Sequence, residues 1–278
     1  MTQSLINTRR RVSPWLFFGL TYGLSWLLWF PAALSGRNVT RPPWAIAYAL
    51  GAAVPSIMGI ILTYVSEDRE GRRDFWRRTF DLRRIRPGAY AFIALVFPVV
   101  YGTAALVDRL TGGSGAGFAV LRPVNLAALV GMPIMMLLNG FIEELGWRGF
   151  ALDRLQLRWN ALSAGVLLGL IHALWHTPLF LAQGTLQYDW GLFSLNYWLF
   201  LLNAILGSVV HTWLYNDNRR SILSAVLLHT AHNLTLNLIM PISSTLLVYA
   251  AVFNLVIVVT LVRVYGAKTL VRPASTVE

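Results

Sequence analysis

The chain has 278 residues, of which 56% are hydrophobic and 13% are charged, and it carries a formal net charge of +11. In soluble domains about a quarter of the residues are charged, so this composition excludes an ordinary soluble fold. The chain contains no cysteine, which excludes disulfides and a thiol nucleophile. The composition therefore predicts a polytopic membrane protein.

Eight apolar segments, each about twenty residues long, follow one another along the chain and are long enough to cross a bilayer. Their approximate bounds are 14–34, 44–65, 89–107, 125–147, 160–182, 193–215, 222–240 and 243–264. Helices are expected because lipid offers backbone groups no hydrogen-bond partner outside the segment. We predict an all-α fold of about eight transmembrane helices around a polar intramembrane cavity, with residues 1–278 forming a single transmembrane domain.

The segment 66–87, between the second and third apolar segments, is rich in arginine. Phe75, Trp76 and Phe80 are set among these arginines, a pattern typical of a basic amphipathic helix at a membrane surface. We predict that this interfacial segment lies on anionic lipid headgroups. A substrate-docking or gating element is the alternative interpretation.

The basic residues are distributed unequally between the two sides of such a bundle. If the N-terminus is cytoplasmic, nineteen of them lie on the cytoplasmic side, and only Arg37, Arg41, Arg109 and Arg122 lie outside. The positive-inside rule then predicts that both termini are cytoplasmic, and we expect a prokaryotic cell membrane. Because topology accounts for the positive charge, no nucleic-acid partner is expected.

The fourth apolar segment contains two adjacent glutamates, Glu143 and Glu144. An ionisable group at bilayer depth is costly and is usually kept where it faces a polar cavity and has partners. Neighbours on a helix point about 100° apart, so the two carboxylates cannot share one role. Glu144 and Arg148 have the i, i+4 spacing of an ion pair, which leaves Glu143 free to face a cavity as a general base.

Four of the five histidines fall in two short motifs within later apolar segments. The stretch GLIHALWHTPLF places His172 and His176 on one face of the fifth segment. The stretch LHTAHNL places His229 and Asn233 on one face of the seventh. Together with the glutamates, these motifs predict one shared functional site in a catalytic-motif core at residues 125–240.

A depth count gives one discrepancy within this proposed site. At 1.5 Å per residue from the nearest cytoplasmic arginines, Glu143 and His229 lie at similar depths of roughly 15 Å. By the same count, His176 lies deeper, at about 27 Å. A tilt of the fifth segment, or a start already within the membrane, could close the difference.

The ordered motifs of this region resemble those of one protein family. They are Glu143-Glu144-x-x-x-Arg148, then His176 preceded by Ala-Leu-Trp, then His229-x-x-x-Asn233. The set is similar to that of the CPBP (CAAX protease and bacteriocin-processing, or Abi) family of intramembrane endopeptidases, which includes the type II CAAX prenyl endopeptidases. The motifs match in order and internal spacing. The rest of the chain matches only in being a membrane protein of about eight helices.

The resemblance implies a role for each motif residue. Glu143 and His176 would activate a water molecule for attack on a peptide carbonyl. Glu144, with its arginine partner, would support that helix. His229 and Asn233 would stabilise the oxyanion, a role that suits their donor groups.

Three other histidine positions carry separate expectations. The family often has an aromatic residue four positions before the second-motif histidine, where this chain has His172, and we expect it to serve in packing rather than to join the site. His232 is expected to be an outer or interhelix partner. His211 is expected to lie at the membrane interface.

The involvement of a metal stays open. Glu143, His176 and His229 could form a three-ligand zinc site with a position left for water, and members of the family are commonly labelled metalloproteases. However, the HExxH signature is absent, and the ligands would come from three separate segments. The resemblance favours a water activated by glutamate without a cofactor, with zinc as the alternative.

We therefore predict a protease, an intramembrane endopeptidase that hydrolyses peptide bonds of membrane-associated substrates, such as prenylated CAAX-like or leader-type peptides. The alternative is a non-proteolytic membrane scaffold that binds another integral protein, such as a sensor kinase. A proton-coupled transporter is a third hypothesis, because buried carboxylates and histidines also occur there.

Overall fold

The structure is a computed structural model that describes residues 12–113, 126–238 and 242–272, with the backbone alone at 126–128. The arginines at 9–11 and 122, which contribute to the predicted topology, lie outside these ranges. The described residues are helical and contain no strand. The predicted all-α fold class is confirmed.

Eleven α-helices follow one another in the described residues. They are α1 (Pro14–Leu34), α2 (Trp44–Ser66), α3 (Arg69–Phe80), α4 (Pro87–Leu110), α5 (Leu126–Gly146), α6 (Asp153–Gln156), α7 (Ala161–Trp175), α8 (Leu186–Trp190), α9 (Leu195–Asp217), α10 (Ile222–Leu238) and α11 (Ser244–Tyr265). A π-helical turn at Trp147–Leu152 joins α5 to α6, and a 3₁₀ turn at Thr177–Leu181 follows α7.

Seven helical stretches in the described residues are long and apolar enough to cross a membrane. Two of them combine elements, because Leu129–Gln156 runs from α5 into α6, and Ala161–Leu181 runs from α7 into the 3₁₀ turn. The predicted segment 222–240 corresponds to α10, which has 17 described residues and ends where the described residues stop. The chain is a polytopic membrane protein.

Close backbone contacts position the helices that carry the predicted site. A Cβ atom added at Gly59 of α2 would lie 2.7 Å from the Cα atom of Gly146 in α5. A Cβ atom added at Gly169 of α7 would lie 2.7 Å from the Cβ atom of Ser208 in α9. Small residues allow membrane helices to approach in this way. The glutamate-bearing α5 and the histidine-bearing α7 are thus each held against a neighbour at backbone distance.

The arginine-rich segment 66–87 contains α3, which is partly buried in the protein. Asp68 caps the helix by accepting a hydrogen bond from the backbone of Gly71 at 2.8 Å. Phe75 and Arg78 are buried, and Phe75 packs in the same core as Trp147. Its solvent-facing arginines are exposed. The lipid contact predicted for this segment therefore stays a prediction for one face of the helix.

Candidate active site

A cavity of about 360 Å³ lies among α4, α5, α7, α9 and α10. All six predicted site residues line it: Glu143, Glu144, Arg148, His176, His229 and Asn233. The other three histidines of the chain line it as well. Three distant segments thus converge on one polar cavity within an apolar bundle, as the motif order predicted.

Glu143 is buried, with 5% of its surface exposed, and its carboxylate contacts a histidine. The distance from Oε2 of Glu143 to Nε2 of His172 is 2.8 Å. The His172 ring also packs against the rings of Trp147 and Trp175, at 4.8 and 6.0 Å between centroids. The expectation that His172 serves only in packing is wrong, because the imidazole adds a polar atom that an aromatic hydrocarbon ring lacks.

His176 lies at the C-terminal cap of α7, where the helix ends. Its Nδ1 atom is 2.9 Å from the carbonyl oxygen of His172. A carbonyl oxygen can only accept, so Nδ1 must donate, and in the neutral ring Nε2 keeps its lone pair. The backbone contact thus orients the His176 ring through Nδ1, and Nε2 remains the basic nitrogen.

The depth discrepancy between His176 and Glu143 is resolved in the structure. Donor atoms of Glu143, His172 and His176 all lie within 4.8 Å of one another. The simple count, which placed His176 much deeper, is wrong because it assumed upright helices with a common starting plane.

Glu144 forms the predicted ion pair with Arg148, and this prediction is confirmed. One guanidinium nitrogen of Arg148 donates to both carboxylate oxygens of Glu144, at 2.9 and 3.0 Å. A second nitrogen donates to the hydroxyl of Ser208 on α9 at 3.1 Å. Glu144 is 0% exposed and Arg148 is 2% exposed. The pair therefore joins α5 to α9 in the interior, and such buried pairs depend on both partners being present.

His229 makes the second contact to the Glu144 carboxylate. Its Nδ1 atom lies 2.8 Å from Oε1 of Glu144. Because that carboxylate is held ionised by Arg148, Nδ1 of His229 is the donor. Asn233 follows one helical turn later on α10 and lines the same cavity.

The two remaining histidines have different surroundings. His211 is 8% exposed, and its ring centre lies 6.3 Å from that of His229. The His211 ring thus faces the cavity, and its expected depth at the membrane interface stays a prediction. His232 pairs with the hydroxyl of Tyr101 on α4 at 2.9 Å, so the predicted interhelix role is confirmed.

The sequence motifs did not predict several polar residues that line the cavity. Tyr101 contacts His232, and Asn203 of α9 donates to the carbonyl oxygens of Leu199 and Leu247 at 2.9 and 3.1 Å. Isolated tyrosines and asparagines are frequent in apolar segments. Their spacing alone therefore gives no signal that separates cavity residues from helix-packing residues.

The donor groups in the cavity fit a transition-metal ion. Two imidazoles and one carboxylate, from Glu143, His172 and His176, offer ligand atoms within 4.8 Å of one another, and zinc accepts this ligand combination. The alternative zinc set predicted above had His229 in place of His172. The structure engages His229 with Glu144 instead.

Comparison with known proteins shows similarity over the motif region and beyond it. Residues 125–235 match a family model described as type II CAAX prenyl endopeptidase, Rce1-like. The chain is also 30% identical over 251 residues to CAAX prenyl protease 2 of Methanococcus maripaludis. That alignment covers 88% of this chain and 92% of the relative, so the similarity extends over nearly the whole fold.

Proposed function

Because the chain belongs to the family of Rce1-like type II CAAX prenyl endopeptidases, and is therefore an integral membrane protease, we propose that it cleaves peptide bonds inside the cavity described above. One observation carries this proposal. Glu143 is a buried carboxylate that faces the cavity and is contacted by an imidazole, whereas the adjacent Glu144 is held by a guanidinium.

In this mechanism Glu143 and His176 activate the attacking water. A carboxylate and a neutral imidazole nitrogen, both free to accept, can share the protons that water loses during attack. His176 suits this role because its Nδ1 proton is held by the backbone of His172, which leaves Nε2 as the acceptor. A proton taken from the water then passes to the peptide nitrogen as the C–N bond breaks and the amine leaves.

His229 and Asn233 stabilise the negative oxygen that develops on the peptide carbonyl. Asn233 offers an amide N–H, which is a donor in any protonation state. His229 donates Nδ1–H to Glu144, so it needs a second proton, on Nε2, in order to donate to the oxyanion. We propose that His229 acts as an imidazolium, stabilised by the Glu144 carboxylate, which places positive charge where the transition state is negative.

Glu144 and Arg148 are positioning residues in this proposal. The guanidinium balances the charge of Glu144, and the carboxylate in turn orients the His229 ring. No step requires a metal ion, although Glu143, His172 and His176 could hold zinc, which would supply a Lewis acid for the carbonyl. The water route through Glu143 is the one that we favour.

The substrate is a membrane-associated peptide or protein with an apolar anchor. The relative is named a CAAX prenyl protease, and we propose prenylated CAAX-like C-termini as the first substrate class for this chain, with hydrophobic leader peptides as the second. Both types reach an intramembrane cavity by partitioning into the lipid. The apolar rings of Trp29, Phe97 and Phe200 line the same cavity as the polar groups.

The orientation in the membrane is part of the same proposal. With both termini in the cytoplasm, the arginine-rich α3 faces the anionic inner leaflet, and the substrate enters from that side. We propose that residues 1–278 work as one transmembrane domain, with the catalytic core at 125–240.

A scaffold that binds another integral protein without cleaving it is the second candidate. A scaffold has no use for a buried carboxylate with an imidazole partner, because such a pair costs desolvation energy without return. The intact set of Glu143, His176, His229 and Asn233 therefore favours the peptidase.

The test compares the purified chain with Glu143→Ala on a panel of prenylated and leader-type peptides. Glu70→Ala is the matched control, because Glu70 is an exposed glutamate on α3. We expect cleavage by the wild type and the control, and none by Glu143→Ala. Equal cleavage by all three proteins would exclude Glu143 as the base. Partner binding without cleavage of any peptide would favour the scaffold.

A further inference from the structure

We infer that the side-chain amide of Asn139 binds the main chain of the peptide substrate, close to the bond that is cleaved. Asn139 lies on α5, one helical turn before Glu143, and lines the same cavity. The inference rests on the proposed function, because it requires that a peptide occupies this cavity. It gives a role to a residue that takes no part in the mechanism proposed above.

Five asparagines of the described residues line the cavity: Asn139, Asn203, Asn233, Asn237 and Asn254. Three of them use their amides within the protein. Asn203 donates to two backbone carbonyl oxygens at 2.9 and 3.1 Å, and Asn254 donates to the side-chain oxygen of Asn203 at 3.0 Å. Asn237 donates to the carbonyl oxygen of Asn233 at 2.8 Å. These three amides therefore serve the fold itself.

The side-chain amides of Asn139 and Asn233 differ from the other three. Neither has a hydrogen-bond partner among the described residues. An amide carries two N–H donors and a carbonyl acceptor, and an unpaired polar group inside an apolar bundle is costly. Asn233 already has a proposed partner, the oxyanion. The amide of Asn139 likewise needs a partner that enters the cavity.

The helices α5 and α10, which carry these two asparagines, pack closely and run antiparallel. A Cβ atom added at Gly140 would lie 2.7 Å from the carbonyl oxygen of Val226. The hydroxyl of Thr230 lies 3.4 Å from the carbonyl oxygen of Met136. A step back along α5 therefore corresponds to a step forward along α10.

This arrangement places the two unpaired amides on the same side of the proposed reaction centre. Asn139 precedes Glu143 by four residues, and Asn233 follows His229 by four residues. Each spacing corresponds to about 6 Å along a helix axis. An extended peptide advances about 3.3–3.6 Å per residue, so Asn139 lies about two substrate residues from the cleaved bond.

A peptide main chain offers the groups that the Asn139 amide needs. Each residue except proline has one N–H donor and one C=O acceptor, and these groups need new partners when the peptide leaves water. A contact to the main chain is also independent of the substrate side chains. Because the contact is the same before and during the reaction, we expect Asn139 to act in binding and not in the chemical step.

The kinetic test measures cleavage of a prenylated CAAX-like peptide by Asn139→Leu and Asn139→Ala. Both variants lose the amide, but leucine keeps the size of the side chain and alanine leaves space. We expect KM to rise about 2- to 12-fold, the factor that corresponds to one neutral hydrogen bond, with kcat unchanged. A rise in KM with leucine but not with alanine would indicate a steric effect and would overturn the inference.

Asn216→Leu is the matched control, because Asn216 lies outside this cavity and its amide bonds to Gln156 and to the backbone of Thr269. We expect this control to lose stability in thermal unfolding and to keep its KM. Asn139→Leu should show the reverse pattern, since it breaks no contact within the described protein. A loss of stability in Asn139→Leu as large as that of the control would show that Asn139 serves the fold.

The binding test separates this inference from catalysis, because it uses the full chain in detergent with the Glu143→Gln substitution. The probe is a fluorescent farnesylated peptide with a CAAX C-terminus. One main-chain N–H at a time, within two residues of the cleaved bond, is replaced by an ester oxygen. At one position the ester should weaken binding about 2- to 12-fold. Asn139→Leu should abolish that difference, because both changes remove the same contact.

The outcomes distinguish this inference from the proposed function. Additive losses at every ester position would give Asn139 a partner other than the peptide, such as a water molecule, and would overturn the inference while cleavage by the wild type continued. Failure of the probe to bind the Glu143→Gln protein would also contradict it. Probe binding that depends on Asn139, without cleavage by the wild type, would contradict the proposed function and leave the binding role of Asn139 standing.

Discussion

Two cavities of this protein contain ionic clusters, and the larger cavity is not the candidate active site. The cavity of about 360 Å³ holds the glutamates and histidines. A second cavity, of about 790 Å³, is lined by an arginine–aspartate cluster. Asp74, Arg78, Asp153 and Arg220 line the cavity, and Tyr215 is hydrogen-bonded to Arg78 and Asp153. Volume and charge alone therefore do not single out the candidate active site.

The difference lies in how each carboxylate is balanced. In the second cavity Asp153 accepts hydrogen bonds from Arg78 at 3.0 Å, from Tyr215 at 2.8 Å and from Arg220. Burial opposes the charge on Arg78, but the neighbouring Tyr215, Asp153 and Asp74 outweigh it and keep the pKa of Arg78 above its ordinary value. The carboxylate of Asp153 is thus balanced by two guanidinium groups, which suits a structural role.

The candidate active-site cavity contains both kinds of carboxylate, on residues that are adjacent in the sequence. Glu144 is balanced by Arg148, like the aspartate of the second cavity. Glu143 contacts an imidazole, which can exchange its proton. A carboxylate without a permanent cation partner is thus the feature that separates a candidate base from a structural anion, and substitutions can test this distinction.

The largest effect should follow from Glu143→Gln. The amide keeps the size of the side chain and can still accept from His172, so the fold should be retained. Loss of the base should lower kcat/KM about 10²–10⁴-fold. Peptide cleavage and thermal unfolding of the same preparation measure the two properties. A variant that unfolds early but cleaves normally when folded would reverse the roles assigned to the two glutamates.

Arg148→Met should have the largest effect on stability. It leaves Glu144, which is 0% exposed, with His229 as its remaining side-chain partner. Removal of one partner of a buried pair costs about 3–5 kcal/mol, measured by denaturant unfolding in detergent. The double variant Glu144→Gln with Arg148→Met should be more stable than Arg148→Met alone. If it is less stable, the pair is not the source of the loss.

Arg78→Met should show a smaller loss of stability without a catalytic effect. Asp153 keeps its contacts with Arg220 and Tyr215, so we expect a cost of about 1–3 kcal/mol for the hydrogen bonds that Arg78 gives up. Cleavage per folded molecule should be unchanged. A fall in kcat with unchanged stability would instead connect the second cavity to catalysis.

Arg220→Gln should have the smallest effect. The Arg220 side chain is 51% exposed, and exposed ion pairs contribute about 0–1 kcal/mol. The measured difference from the wild type should shrink further as salt concentration rises, because exposed charges are screened. A loss that is large and independent of salt would show that Arg220 is essential to the second cluster.

Hydrophobic patterning alone predicted most of the fold. The apolar segments correspond to the long helices because length and hydropathy are local properties of the chain. The arginine-rich segment was predicted as a surface helix, yet Phe75 and Arg78 pack into the protein. The sequence pattern of this segment shows an apolar face and a basic face. It does not show whether lipid or protein covers the apolar face.

In the candidate site, too, the sequence predicted a contact within one helix but missed a contact between helices. The i, i+4 spacing of Glu144 and Arg148 was sufficient to predict their ion pair, because one helix sets that distance. The contact of His172 with Glu143 joins α7 to α5. Helix tilt and the close approach of glycine-bearing surfaces decide such a contact, and a sequence motif predicts neither of them.

The sequence by itself determined that this chain spans a membrane, that two adjacent glutamates lie within one of its apolar segments, and that its motifs resemble those of a protease family. Only the tertiary structure decided that His172 and His211 face the cavity, that Tyr101 meets His232, and that Glu143 is matched by an imidazole. The physical reason is the distance along the chain over which each effect acts. Hydropathy and helical spacing act within about one turn, whereas the charge balance of a buried carboxylate depends on which distant helices pack beside it.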